Sequence, residues 1–95
     1  MALVFEWDEQ KARRNLAKHA VSFDEAATVF ADVLSLTIED PLHSTDEQRF
    51  VTTGESNRNC LLVVVHADRG DRIRIISARQ ATPRERRTHE EGNQN

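Results

Sequence analysis

The sequence predicts an α+β domain: two N-terminal helices and a C-terminal helix packed on a curved antiparallel β-sheet, in the order β-α-α-β-β-β-β-α. Three observations lead there. The capping boxes Ser22–Glu25 and Thr82–Glu85 open helical segments near the two ends. Between them the apolar residues change from a helical spacing to strict alternation, the mark of half-buried strands. The links between successive strand segments are shorter than the dozen or so residues that a parallel crossover needs, so hairpins are expected. At 95 residues the chain is one domain, expected over residues 1–90 with 91–95 as a disordered tail.

The elements follow in order. "LVFEW" is a short apolar strand, and Asp8 after it is an N-cap for "EQKARRNLAKHA", with Ala12, Leu16 and Ala20 as its apolar stripe. In "VSFDEAATVFA", Phe23, Ala26, Ala27 and Phe30 fall at i, i+3, i+4 and i+7, giving a second helix. "LSLTIE" alternates Leu34, Leu36 and Ile38 with polar residues, as a strand with one buried face does. "DPLHSTDEQ" is a polar loop, "RFVTTG" a strand and "ESNRN" a turn. "CLLVVVHA" is apolar on both faces and reads as a central strand, with Cys60 as a small core residue. "DRGD" is a turn before the strand "RIRIISARQ", and Thr82, Pro83 and Glu85 start the last helix.

Charge is segregated along the chain. Residues 21–57 sum to −7 and residues 58–89 to +5, within a total of −3. The cations of the basic half are arginines, and only Lys11 and Lys18 represent lysine. Arginine presents a planar fork that matches phosphate at two points, so Arg72, Arg74, Arg79, Arg84, Arg86 and Arg87 in "RIRIISARQATPRERR" point to a phosphate-bearing or acidic partner. The alternative is internal pairing with Asp68, Asp71 or Glu47. Strict alternation would set Arg72 and Arg74 on one face with Ile76 and Ala78, and Ile73, Ile75, Ser77 and Arg79 on the other.

Other classes of chemistry lack support. His19, His43, His66 and His89 are each more than twenty residues from the next, and a single Cys60 accompanies them, so no metal-ligand spacing exists. Asp40, Asp46 and Glu47 read as a solvated acidic loop. There is no nucleophile elbow or glycine-rich phosphate loop. No cofactor or metal is expected. No apolar run approaches the roughly 18 residues of a membrane span, and the N-terminus lacks a signal-peptide pattern, so a cytoplasmic protein is expected. His66 alone among the histidines sits on a core strand. Depending on hairpin register it would face Ile73, on the face carrying Arg79, or Arg72. A proton-moving histidine beside charge-stabilising arginines suffices for metal-free RNA cleavage, in which the ribose 2′-hydroxyl attacks its own phosphate. A packed strand histidine is the plainer reading. Trp7 and the phenylalanines read as core rather than as base-stacking platforms.

Taken together, "FEWDEQKARRNLAKHAVSFDEAATVF", "DPLHSTDEQRFVTTG" and "LLVVVHADRGDRIRIISARQATPRERR" resemble the BrnT family of bacterial toxins over roughly residues 4–90. "RIISARQAT", followed by the "ER" helix start, is the most specific stretch. The resemblance implies a RelE-like fold and an endoribonuclease that arrests translation. It implies neutralisation by a ribbon-helix-helix antitoxin in a heterotetramer, two toxins on an antitoxin dimer, with promoter DNA bound only through the antitoxin. By motif position, "SAR" assigns Arg79, "IRI" Arg74, and "EQR" Glu47 and Arg49. With His66 these form the expected catalytic set; Arg72, Arg84, Arg86 and Arg87 would bind RNA or the antitoxin. The rival reading is a non-catalytic binding module, a degenerate toxin acting as co-repressor. Two departures stand out: Ala20 occupies a position that is often glycine in the family, and there is no tyrosine, His66 and His89 standing where tyrosines are frequent.

Overall fold

A computed structural model describes residues 3–40 and 47–92. The elements are β1 (Val4–Glu6), α1 (Glu9–His19), α2 (Phe23–Thr28) continued by a 3-10 turn (Val29–Ala31), β2 (Leu36–Glu39), β3 (Arg49–Glu55), β4 (Leu61–Arg69), β5 (Arg72–Gln80) and α3 (Pro83–Gly92). The expected order of elements holds. Because α3 runs to Gly92, residues 91 and 92 are helical rather than tail; residues 93–95 lie outside the described part, as do Pro41, His43 and Asp46 of the acidic loop.

The strands form one sheet in the order β1-β5-β4-β3-β2. It is not wholly antiparallel: β1 runs parallel to β5, with Val4 opposite Arg72 and Glu6 opposite Arg74. Short links dictate hairpins only between strands adjacent in sequence. β1 reaches β5 through most of the chain, so that constraint does not reach it.

One sheet face carries the core. Cross-strand partners share a face, which puts Thr52, Leu62, Val64, His66, Ile75 and Ala78 together. Val21, Phe23, Ala26 and Val29 close over them, all but sealed from solvent. Ser22 caps α2 as expected, its hydroxyl accepting from the Glu25 amide at 3.0 Å. Trp7 meets Phe23 edge to face at 5.9 Å, a packing role. At Gly54 the 3-10 turn comes so close that a Cβ would lie 2.9 Å from Val29 Cγ1 and 2.8 Å from Ser35 Cβ.

α1 departs from its expected stripe. Leu16 and Ala20 are exposed, and the buried residue is Asn15. The cause lies in what α1 covers. β1 stops at Glu6, so β5 beyond Arg74 has no strand on that side, and its backbone groups need partners. Asn15 supplies them: its amide donates to Ala78 O at 2.8 Å and to Val21 O at 2.9 Å, and its carbonyl accepts from Ala78 N–H at 3.0 Å. One side chain thus does the work of a missing strand. α1 ends with Ala20 in the left-handed region at φ 57°, its N–H bonded to Leu16 O at 2.9 Å.

Candidate functional site

The register of the β4–β5 hairpin decides which arginines share a surface. The loop is Gly70–Asp71, with Arg69 opposite Arg72. His66 pairs with Ile75 and Val65 with Ser77, which leaves Ile76 as an extra residue, a β-bulge. Alternation therefore changes phase in mid-strand. Arg72, Arg74, Ser77 and Arg79 lie on one face, and Ile73, Ile75 and Ala78 on the other. This corrects the strict alternation expected from the sequence, which separated Arg79 from Arg74. It also corrects the partner of His66, which is neither Ile73 nor Arg72.

On the arginine face one row crosses four strands: Arg49 on β3, Ala67 on β4, Arg74 on β5 and Glu6 on β1. Neighbouring strands are about 4.8 Å apart, so Arg49 and Arg74 stand roughly 10 Å apart with only a methyl group between their backbones, close enough for both guanidinium groups to reach one anion. Arg74 Nη1 donates to Glu6 Oε2 at 3.1 Å, and Arg72 pairs with Glu6 Oε1 at 3.6 Å. In the adjoining row, beside Arg72, Arg69 pairs with Glu47 at 3.0 Å. Arg49 has no ion-pair partner among the described residues, and its Nε is buried without a hydrogen bond. Arg49, Arg74 and Glu47 of the expected set therefore come together, joined by Arg72, Arg69 and Glu6.

Arg79 is on the same face but elsewhere. It stands two rows on from Arg74, with the Ser77 row between them, about 13 Å along the strand. Its terminal nitrogens bind Glu85 at 2.7 and 2.8 Å. Glu85 is also the capping-box acid of α3, accepting from Thr82 N–H at 2.9 Å while its own amide donates to Thr82 Oγ1 at 3.1 Å. The Arg79 guanidinium, then the Thr82 amide, hold the Glu85 carboxyl down at about 2, and the same pairing raises the pKa of Arg79.

His66 lies on the opposite, helix-covered face and does not meet the arginines. Its ring is edge-on to Phe30 at 4.8 Å and stacked on Phe50 at 5.8 Å. Nε2 shares a 2.7 Å hydrogen bond with Thr52, whose hydroxyl is 2.7 Å from that of Thr37. Burial lowers its pKa, Asp68 opposing only in part. A residue only 4% exposed beneath aromatic rings cannot exchange protons with a ligand on the far side of the sheet. The plainer reading of His66 is the one its surroundings fit.

The α3 arginines are spread around their helix. Arg84 lines an apolar groove of about 360 Å³ formed with Leu36, Ile38, Val51 and Thr53; Arg86 lies 4.0 Å from Glu90, and Arg87 is exposed. Sequence reasoning missed Glu6, because a lone acid on a three-residue strand carries no pattern. The arginines do pair internally, but with other acids than Asp68, Asp71 or Glu47: Arg72 and Arg74 meet Glu6, Arg79 meets Glu85, and Glu47 meets Arg69 instead. Among the described residues no three His, Cys, Asp or Glu side chains gather closely enough to hold a metal ion. No described helix is long and apolar enough to cross a membrane.

The molecule is thus a small α+β domain whose sheet carries the main core on one face and, on the other, a line of arginines beside α3. Its sequence matches, over residues 7–85, the family described as ribonuclease toxin, BrnT, of type II toxin-antitoxin system, and the chain belongs to that family. Its fold is similar to that of the Brucella abortus ribonuclease toxin BrnT, solved at 1.1 Å resolution, with a TM-score of 0.62 and 24% identity over 85% of this chain and 99% of that one. No curated protein matches the chain.

Proposed function

We propose that this chain is a cytoplasmic, metal-independent endoribonuclease toxin that stops translation, with Arg49 and Arg74 as the pair that grips the scissile phosphate. The row Arg49–Ala67–Arg74 carries this reading: two guanidinium groups over a methyl floor, one of them without a carboxylate partner among the described residues. Glu6 would orient Arg74, and Glu47 would take the proton from the ribose 2′-hydroxyl. The 2′-oxygen bonds to phosphorus, the bond from phosphorus to the 5′-oxygen breaks, and that oxygen takes a proton from water. The products are a 2′,3′-cyclic phosphate and a 5′-hydroxyl. The arginines stabilise the negative charge that builds on the phosphorane oxygens. Arg79 serves here as the clamp that fixes α3 to the sheet, with Arg84, Arg86 and Arg87 left for antitoxin.

The partner in this reading is a ribbon-helix-helix antitoxin, two toxins sitting on its dimer and reaching promoter DNA only through it. Family membership supports an antitoxin; its type and the stoichiometry rest on resemblance. A second reading, a non-catalytic co-repressor, draws on the internal pairing of Arg69, Arg72, Arg74 and Arg79 with carboxylates. Purified protein should cleave RNA in EDTA and leave cyclic phosphate ends. Arg49→Ala and Arg74→Ala should each lose about 10²–10³ in rate, as expected for one preorganised cationic donor. Folded variants with full activity overturn the assignment, and a wild type that neither cleaves RNA nor arrests growth favours the co-repressor.

A further inference from the structure

A second cationic surface lies outside the arginine face, where the sequence drew no attention. Lys11, Arg14, Lys18 and His19 fall at i, i+3, i+7 and i+8 of α1, on one side of the helix. With Asn15, Ile76 and Ser77 they line a groove of about 280 Å³ between α1 and the bulged stretch of β5. These cations differ in kind from those of the sheet. Arg69, Arg72, Arg74 and Arg79 each have a carboxylate partner, whereas Lys11, Arg14 and Lys18 on α1 form no ion pair among the described residues. Arg14 touches only the neutral amide of Gln10, at 3.5 Å. In a chain of net charge −3, a groove whose three cations have only Asp8, near Lys11, as a neighbouring acid is fitted to an external anion.

We propose that this groove holds the phosphates of RNA flanking the cleaved bond, a proposal that rests on the ribonuclease reading and extends its site. Ser77 carries the connection: it lines the groove and also stands on the arginine face, between the Arg74 and Arg79 rows. A strand of RNA lying in the α1 groove therefore passes the bulge to reach the Arg49–Arg74 row, with the carboxylates of Asp8 and Glu6 bordering its path beside Arg74. The lining favours nucleic acid over protein. Ile76 is its one aliphatic side chain, and the cores of protein interfaces are depleted in lysine, whereas backbone phosphates are neutralised by Lys and Arg.

The test uses a labelled 2′-O-methyl oligoribonucleotide of about a dozen residues, which lacks the attacking hydroxyl and stays intact. Its affinity is measured by fluorescence anisotropy over a range of salt concentration. Replacing Lys11, Arg14 and Lys18 together with alanine should weaken binding at least tenfold, and should flatten the log–log salt dependence by about 2, since each single-strand phosphate contact contributes roughly 0.7. Arg13→Ala with Arg58→Ala, two exposed cations outside the groove, should do neither. All five positions are exposed, and circular dichroism checks the fold of each variant. Wild-type affinity and slope in the triple variant overturn the proposal and leave the ribonuclease reading standing. A wild-type protein that binds no RNA overturns both. Loss of binding to a poly-glutamate peptide with RNA binding intact overturns it in favour of a protein partner.

Discussion

Arg79 and Glu85 meet at two points, and the same carboxylate closes the capping box of α3, so one acid ties the end of β5 to the start of the last helix. Glu85 titrates at about 2 in the fold, against an ordinary value of 4.5. Its contribution is therefore fully present above pH 4.5 and is lost as pH falls toward 2. Both side chains are more than a third exposed, so solvent screening leaves only about 1 kcal/mol. Glu85→Gln should lower the melting temperature near pH 6 by about 5 °C. The deficit should close when both proteins are melted near pH 2.

Ala20 holds a left-handed backbone that L-residues other than Asn and Asp avoid. Ala20→Gly should stabilise the domain by about 1 kcal/mol, a rise of roughly 4–8 °C in melting temperature for a chain of this size. Urea denaturation should show a higher midpoint with an unchanged slope. An unchanged midpoint would mean that the entropy glycine adds to the unfolded chain cancels the relief of strain.

His66 is buried with its pKa lowered by desolvation. Above about pH 6.5 it is neutral in both folded and unfolded chains and adds no pH dependence. Below that, the unfolded chain takes up the proton first, so stability falls with pH until the folded-state pKa is passed. NMR titration of the ring should give a value below that of a free histidine. His66→Gln should remove this limb of the stability profile, and RNA cleavage per folded molecule should keep its pH dependence.

Gly54 is required by proximity rather than by its backbone angles. Gly54→Ala would press a methyl group into Val29 and Ser35, at separations below 3 Å, and overpacking of this kind costs about 1–3 kcal/mol. Thermal melting should show the loss. If it does not, the 3-10 turn yields more readily than a packed core does.

Much of this architecture was legible in the chain because its signals are local. The boxes Ser22–Glu25 and Thr82–Glu85 satisfy amides within one helical turn, so their residues alone announce them. The apolar β4 run had to be central, covered on both faces. What remained hidden depends on partners distant in sequence. Asn15 looks like any polar helix residue until Ala78 stands beside it. Glu6 gains meaning only when β1 docks parallel to β5 and brings it to Arg74. The grouping of Arg49 with Arg74 needed the register of three strands at once, and one extra residue in β5 was enough to send Arg79 to the other side of the sheet from where alternation placed it.

That extra residue has a consequence for how the gene can change length. Ile76 is the only position in β5 whose removal would leave every pairing with β4 intact, because the ladder already passes over it. Loss of a codon on either side can be absorbed only by erasing the bulge, and insertion of one would turn arginines toward the buried layer. Across related toxins, single-residue gaps should therefore collect at this one position of the strand and be purged from its neighbours.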